Sequence, residues 1–141
     1  MSNTYLGFDF GLKYIGVAVG QDITGSASPL TVLLVRHSKI PWHDIDVLFE
    51  KWDVCAFVLG LSLQLDGSKQ TFHPQLVGFR NGLLKRYKVP VHWTDECYTT
   101  REAKSRLLET VGRKALTKEN IDATSAQIIL QQWFDENDVS S

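Results

Sequence analysis

The most constraining feature of the chain is the continuous apolar run at residues 54–61 (VCAFVLGL). The run is much shorter than the 18 or more apolar residues that a membrane-spanning helix needs. A short apolar run without polar alternation is typical of a strand that is buried on both faces of a sheet. We therefore expect helices to cover both faces of a central sheet, and no membrane association.

The residues around this run alternate between strand and helix patterns. The predicted strands cover residues 4–10, 14–20, 29–35, 54–61 and 89–93. The predicted helices cover residues 41–52, 74–87, 99–112 and 117–137, with Pro41 as the first helical residue of its segment and a capping box at Thr99 and Glu102. Three strands with short links, followed by alternating helices and strands, predict an α/β fold with a five-stranded mixed sheet and helices on both faces. This is a ribonuclease H-like arrangement.

Length and composition point to a single globular unit. The 141 residues are 43% hydrophobic and 22% charged, and no segment has the composition of a linker. We expect one ribonuclease H-like domain over residues 1–141. The N-terminus has neither the basic flank nor the apolar stretch of a signal peptide, and the two cysteines lie far apart, so we expect a cytoplasmic protein with free thiols.

The charges are unevenly distributed along the chain. The formal net charge is only -1, but residues 80–118 hold ten Lys and Arg against four Asp and Glu. The low net charge argues against a protein that coats nucleic acid by bulk charge. The basic segment is either a set of solvated helix faces or a surface that binds a phosphate backbone.

Asp9 is the first candidate site residue. It lies near the end of the first predicted strand between Gly7 and Gly11, so strand alternation places only glycines beside it on its own face. A carboxylate in a core strand is costly unless a positive group meets it, and glycines in a strand often mark a close approach by a ligand. Asp9 either belongs to a site or begins a glycine-rich turn and accepts backbone hydrogen bonds.

Two further acids come from later elements. Glu96 follows Asp95 directly after the last predicted strand, and strand ends in α/β sheets are common positions for sites. Asp122 shares a helical stripe with Ala126, Ile129 and Trp133. Taken singly, either acid could merely stabilise a helix N-terminus.

Asp9, Glu96 and Asp122 can converge if their three elements pack together, as they do in a ribonuclease H-like sheet. Three adjacent carboxylates repel one another unless a divalent cation neutralises them. Oxygen ligands suit Mg²⁺ or Mn²⁺, and such ions activate water and stabilise the leaving oxygen in phosphodiester cleavage.

Four blocks of the sequence together resemble the signature of one family. The blocks are residues 6–19 (LGFDFGLKYIGVAV), 60–68 (GLSLQLDGS), 89–100 (VPVHWTDECYTT), and 121–126 (IDATSA) with 129–131 (ILQ). They resemble the YqgF family, whose members are described as pre-16S ribosomal RNA nucleases and as Holliday-junction-resolvase-like. The resemblance implies a metal-dependent nuclease with Asp9, Glu96 and Asp122 as its catalytic and metal-binding residues.

The sequence departs from the family pattern at three places. Tyr14 stands where the family usually has a basic residue, Ser62 stands where it has a proline, and Cys97 with Tyr98 replaces an Arg-Leu pair. The lost positive charges could weaken contact with phosphate. The expected substrate is structured RNA, namely the 5′ end of pre-16S ribosomal RNA, with branched DNA as the alternative. We expect a monomer or homodimer, with backbone phosphates bound by Lys13, Ser68, Arg101, Lys104 and Arg106.

Two other functions fit parts of the sequence. An Asp-x-Gly hairpin also opens actin-like ATPases and sugar kinases, but those proteins use two such domains and only one fits in this length. A non-catalytic RNA-binding module for ribosome assembly is the other alternative. Retention of all three acids argues against this module, and the lost charges at Tyr14 and Cys97 argue for it.

Overall fold

The computed structural model describes residues 3–11, 13–60, 73–94 and 118–137, with only the backbone described for residues 73 and 118–122. The strands are β1 (Thr4–Asp9), β2 (Tyr14–Gln21), β3 (Ser26–Leu34), β4 (Val54–Gly60) and β5 (Val91–Thr94). The helices are α1 (Trp42–Trp52), α2 (His73–Tyr87) and α3 (Lys118–Glu136). These elements occur in the predicted order, whereas the helix predicted at residues 99–112 lies outside the described residues.

The strands form one sheet in the order β3-β2-β1-β4-β5. β1 pairs antiparallel with β2 and parallel with β4, β2 pairs antiparallel with β3, and β4 pairs parallel with β5. The predicted five-stranded mixed sheet is therefore confirmed. β1, β4 and β5 all end at the same side of the sheet, which we call the carboxyl edge.

Helices cover both faces of this sheet, as the apolar run in β4 predicted. Leu6 and Phe8 of β1 and Phe57 of β4 lie in the core beneath α1 and α2. Val58, the next residue of β4, packs with α3 on the opposite face. Among the described residues, no helix is long and apolar enough to cross a membrane.

Two element boundaries differ from the sequence prediction. Pro41 is the N-cap residue rather than the first helical residue, because its ψ of 69° is not helical. β3 begins at Ser26, three residues before the predicted start, and thus includes Pro29. Since β3 is an edge strand, the missing N–H of Pro29 does not interrupt the sheet.

Candidate functional site

Asp9 is the last residue of β1 and lies at the carboxyl edge, where it is half-buried. Leu6 and Phe8 point into the core beneath α1 and α2, so Gly7 and Asp9 belong to the face that α3 covers. The residues paired with Asp9 on the two adjacent strands are Gly16 and Gly60. No side chain from either neighbouring strand therefore stands beside the carboxylate in its own row.

The packing of α3 on β1 gives the register between the helix and the strand. Tyr5 packs against Trp133 and Phe134 near the end of the helix. A Cβ added at Gly7 would lie 2.7 Å from the Cβ of Leu130 and 3.2 Å from the carbonyl oxygen of Ala126. The helix thus runs antiparallel to β1, and its N-terminus approaches the carboxyl edge.

The same register relates residue 122 to Asp9. Two strand residues advance by roughly 6.6 Å and four helical residues by about 6 Å. Along β1, one such step leads from Gly7 to Asp9. Along α3, a step of similar length toward the N-terminus leads from Ala126 to the backbone of residue 122, which therefore lies near Asp9. Ala126 and Ile129 are buried and Trp133 packs against the same core, as the predicted helical stripe requires. The side chain of Asp122 itself lies outside the described part.

β5 ends at the carboxyl edge in the same row as Asp9. Asp9 pairs with Gly60, and Gly60 pairs with Thr94, so the three residues form one row along the carboxyl edge. Trp93 packs toward α1 and α2 while His92 stacks on Trp133, which puts Thr94 on the α3 face with Asp9. Glu96, two residues after Thr94, lies outside the described residues.

Thr94 contributes a buried oxygen to this face. Its side chain is 2% exposed, and its Oγ1 has no hydrogen-bond partner among the described residues. His92, two residues earlier on the same face, has its pKa lowered by burial, which favours the neutral imidazole. The polar side chains that the ends of β1 and β5 place on this face are thus an acid, a hydroxyl and an imidazole.

An oxygen-binding cation fits the donors at this edge. The carboxylate of Asp9 and the hydroxyl of Thr94 are the hard oxygen donors that Mg²⁺ and Mn²⁺ prefer. The described side chains alone contain no group of three His, Cys, Asp or Glu residues that could hold a metal. The other two expected ligands, the side chains of Glu96 and Asp122, lie outside the described part of the chain.

Only one of the five predicted phosphate-binding residues lies in the described part of the chain. Lys13 is exposed in the turn between β1 and β2, at the same edge as Asp9. Ser68, Arg101, Lys104 and Arg106 lie outside the described residues, as do the departures at Ser62 and Cys97. Tyr14, the third departure, is the half-buried first residue of β2 and also lies at the carboxyl edge.

Part of the basic segment has a structural role. Arg86 on α2 donates hydrogen bonds to both carboxylate oxygens of Asp46 on α1, at 3.3 and 3.2 Å. The Tyr87 hydroxyl also donates to Asp46. Together these donors lower the pKa of the Asp46 carboxyl, and burial together with the bond to Asp46 raises the pKa of Tyr87. Arg86 therefore joins two helices rather than remaining available for a substrate.

Sequence reasoning missed a second group of cations at the carboxyl edge. Residues 36–39 (RHSK) form a tight turn after β3, closed by a 2.9 Å hydrogen bond from the Lys39 N–H to the Arg36 carbonyl. We call residues 36–39 the basic turn. The sequence signal was an Arg and a Lys flanking two polar residues, but it carries no glycine, asparagine or aspartate to mark a turn.

Comparison with known proteins agrees with this architecture. A family model described as "RuvX: Holliday junction resolvase" matches residues 3–136. A Shewanella denitrificans protein named "Putative pre-16S rRNA nuclease" is 44% identical over 135 residues, covering 96% of each chain. A Klebsiella pneumoniae protein of the same name is 41% identical over 137 residues, covering 97% of this chain and 99% of the relative.

Two solved structures share the fold. Thermus thermophilus RuvC in complex with a Holliday junction substrate superposes with a TM-score of 0.53 and 14% identity, covering 98% of this chain and 97% of that one. The Fowlpox virus resolvase in complex with Holliday junction DNA superposes with a TM-score of 0.60 and 10% identity, covering 95% and 98%. The predicted ribonuclease H-like fold is thereby confirmed. The chain belongs to the RuvX family, which its sequence motifs had indicated under the name YqgF.

Proposed function

We propose that the chain is a single-domain, metal-dependent nuclease and that Asp9, Glu96 and Asp122 together hold Mg²⁺ or Mn²⁺. The observation that carries the proposal is the convergence of three elements at the carboxyl edge. Asp9 ends β1, the strand that precedes Glu96 ends in the same row, and the helix register leads to residue 122. Membership of the RuvX family and the names of the relatives support nuclease activity.

Close packing of α3 on the sheet supports the proposed pairing of Asp9 with residue 122. Gly7 lets α3 approach β1 until side-chain and backbone atoms touch, and Gly60 does the same for Ile129, whose side chain would lie 2.4 Å from an added Cβ. The separation between Asp9 and residue 122 is therefore determined by close packing rather than by a loop. Such a rigid support is what a cation site with a demanding geometry requires.

The side chains divide the work of phosphodiester hydrolysis. A cation held by the three carboxylates supplies activation of water and stabilisation of the leaving oxygen. Sharing such a cation relieves the mutual repulsion of the carboxylates. Lys13, exposed at the same edge, is positioned to bind a backbone phosphate and so to orient the substrate.

We propose the 5′ end of pre-16S ribosomal RNA as the substrate, because the relatives carry that name. Branched DNA is the second candidate, favoured by the family description and by the structural neighbours bound to Holliday junctions. A non-catalytic role in ribosome assembly is favoured by Tyr14, which occupies the carboxyl edge without the positive charge usual in the family. This role predicts RNA binding that is independent of metal and never accompanied by cleavage.

The test is cleavage of a pre-16S leader RNA and of a four-way DNA junction, with Mn²⁺ and with a chelator. We expect cleavage only with metal, and none by Asp9→Asn. Asp53→Asn is the matched control, because Asp53 is exposed where β4 begins, away from the carboxyl edge, and asparagine tolerates its φ of 50°. Cleavage by Asp9→Asn at the wild-type rate, or undiminished cleavage in chelator, would contradict the proposal. Cleavage of the leader RNA or of the DNA junction distinguishes an RNA substrate from a DNA substrate.

A further inference from the structure

The basic turn has an unusual backbone for its sequence. Its two central residues, His37 and Ser38, have φ angles of 52° and 60°. Positive φ at both central positions is the pattern of a type I′ turn, which favours Asn-Gly or Gly-Gly. Strained backbone of this kind persists where the surrounding structure enforces it, and it concentrates at functional sites.

The basic turn lies beside Lys13. The N–H of Val35, the residue before the turn, donates a 2.8 Å hydrogen bond to the carbonyl of Lys13. Lys13, Arg36 and Lys39 are all exposed. None of the three forms an ion pair with a carboxylate in the part of the chain that the structure describes. Three cations without carboxylate partners therefore stand together at the carboxyl edge.

A cavity opens beneath the basic turn, between it and the first half of α2. Its volume is about 360 Å³, within the range of small-ligand sites. Phe10 and Phe79, which stack at 5.1 Å and are only 5% and 1% exposed, form its floor, and Val35 and Ile40 also line it. Ser38 and Gln75 supply polar groups, and Gly78 leaves a side of the cavity without a side chain. The cavity is thus aromatic, with a few hydrogen-bonding groups.

The cavity and the candidate site are adjacent along the chain. Phe10 follows Asp9 directly, and strand alternation sends the two side chains to opposite faces at the end of β1. A strand of nucleic acid that crosses the carboxyl edge at Asp9 would therefore pass from the candidate site toward the face that carries the cavity.

We propose that the basic turn, Lys13 and the cavity form a nucleotide subsite that takes one unstacked nucleotide next to the cleaved bond. The cations bind its phosphates, and the base enters the cavity over this apolar floor, between Ser38 and Gln75. This subsite deepens the proposed function and rests on it. It predicts that the enzyme prefers a substrate with an unpaired nucleotide beside the cleavage position.

The test measures binding in the full-length protein carrying Asp9→Asn, so that the probe is not cut. The probes are a labelled RNA hairpin with a single-stranded overhang and the same hairpin with a blunt end. Gly78→Leu fills the cavity, and no described atom beyond its chain neighbours and its own helix backbone lies within 4 Å of the added Cβ, so the variant is expected to melt at or above the parent temperature. Val77→Leu, at an exposed position one residue away, is its control.

We expect Gly78→Leu to weaken binding of the overhang probe about tenfold, within the range for loss of one base stack, and to leave blunt-end binding within about twofold. Val77→Leu should change neither. Arg36→Gln and Lys39→Gln should each reduce the logarithmic salt slope by about 0.7, whereas Lys51→Gln, at the end of α1, should not. Either parent-like binding of the overhang probe by Gly78→Leu or an unchanged salt slope in both cation variants would overturn the subsite.

The two proposals fail in different ways. Cleavage that requires Asp9 and metal, combined with unaltered binding by Gly78→Leu, overturns the subsite and leaves the nuclease. An overhang preference that Gly78→Leu removes, in a protein that cuts neither RNA nor DNA, overturns the nuclease and leaves the subsite.

Discussion

The close contact between Gly7 and α3 leads to a quantitative prediction for Gly7→Ala. The added Cβ would lie 2.7 Å from the Cβ of Leu130 and 3.2 Å from the backbone carbonyl of Ala126. Neither atom can rotate away, because one is the first side-chain atom and the other belongs to the helix backbone. An ordinary contact of 3.4 Å is reached only if α3 moves away from β1 by about 0.7 Å.

This movement has a cost in stability and in activity. Overpacking of a dense core costs typically about 1–3 kcal/mol, and the reduced entropy of the unfolded alanine chain returns about 0.4–1 kcal/mol. We therefore expect the free energy of unfolding to fall by about 0.5–2 kcal/mol. The same shift moves residue 122 relative to Asp9, and since a misplacement of about 1 Å can cost on the order of 100-fold in rate, cleavage should fall at least about tenfold.

Urea denaturation and the cleavage assay measure the two effects on the same preparation. Gly78→Ala is the matched control, since its added Cβ has no described neighbour within 4 Å outside the local helix backbone and alanine is preferred in a helix by about 1 kcal/mol. Gly7→Ala should therefore be less stable than wild type and Gly78→Ala more stable. Wild-type stability and wild-type cleavage in Gly7→Ala would refute the argument that close packing of α3 positions the site.

Three further predictions concern charge and backbone strain. In chelator, Asp9→Asn should melt at or above the wild-type temperature in a thermal scan, because it removes one charge from a repelling set; a large drop would instead show that Asp9 is structural. Replacing His37 and Ser38 with Asn-Gly should raise the free energy of unfolding in urea by about 1–2 kcal/mol, because that pair adopts the positive φ angles without strain; a loss of stability would contradict this reading. Asp46→Asn should be less stable than wild type at pH 7, since the pKa of Asp46 is lowered in the folded state. The difference, followed by urea denaturation at several pH values, should begin to shrink as the pH falls toward 3.8 and vanish below the lowered pKa; a difference independent of pH would exclude the charge as its cause.

The order of the elements and the layering of the fold could be predicted from the sequence. The apolar run in β4 requires cover on both faces, and the structure supplies α1 and α2 on one face and α3 on the other. The buried positions of Ala126 and Ile129 follow from helical spacing alone. These features depend on periodicity, which the sequence displays directly.

The basic turn and the cavity could not be predicted in the same way. His37 and Ser38 have positive φ angles, but neither is the asparagine or glycine that marks such a turn in a sequence. The distribution of charge along the sequence indicates residues 80–118, and not the basic turn, as the candidate phosphate-binding segment. The exposed cations Lys13 and Arg36, 23 positions apart in sequence, come together through the antiparallel pairing of β2 with β3, which the hydrogen bond from the Val35 N–H to the Lys13 carbonyl extends.

The most direct test of the central claim is calorimetric titration of the full-length protein with Mn²⁺. If Asp9, Glu96 and Asp122 share one cation site, each of Asp9→Asn, Glu96→Gln and Asp122→Asn should weaken Mn²⁺ binding at least about tenfold, whereas Asp53→Asn should bind as wild type does. Wild-type affinity for Mn²⁺ in any of the three carboxylate variants would contradict a shared metal site at the carboxyl edge.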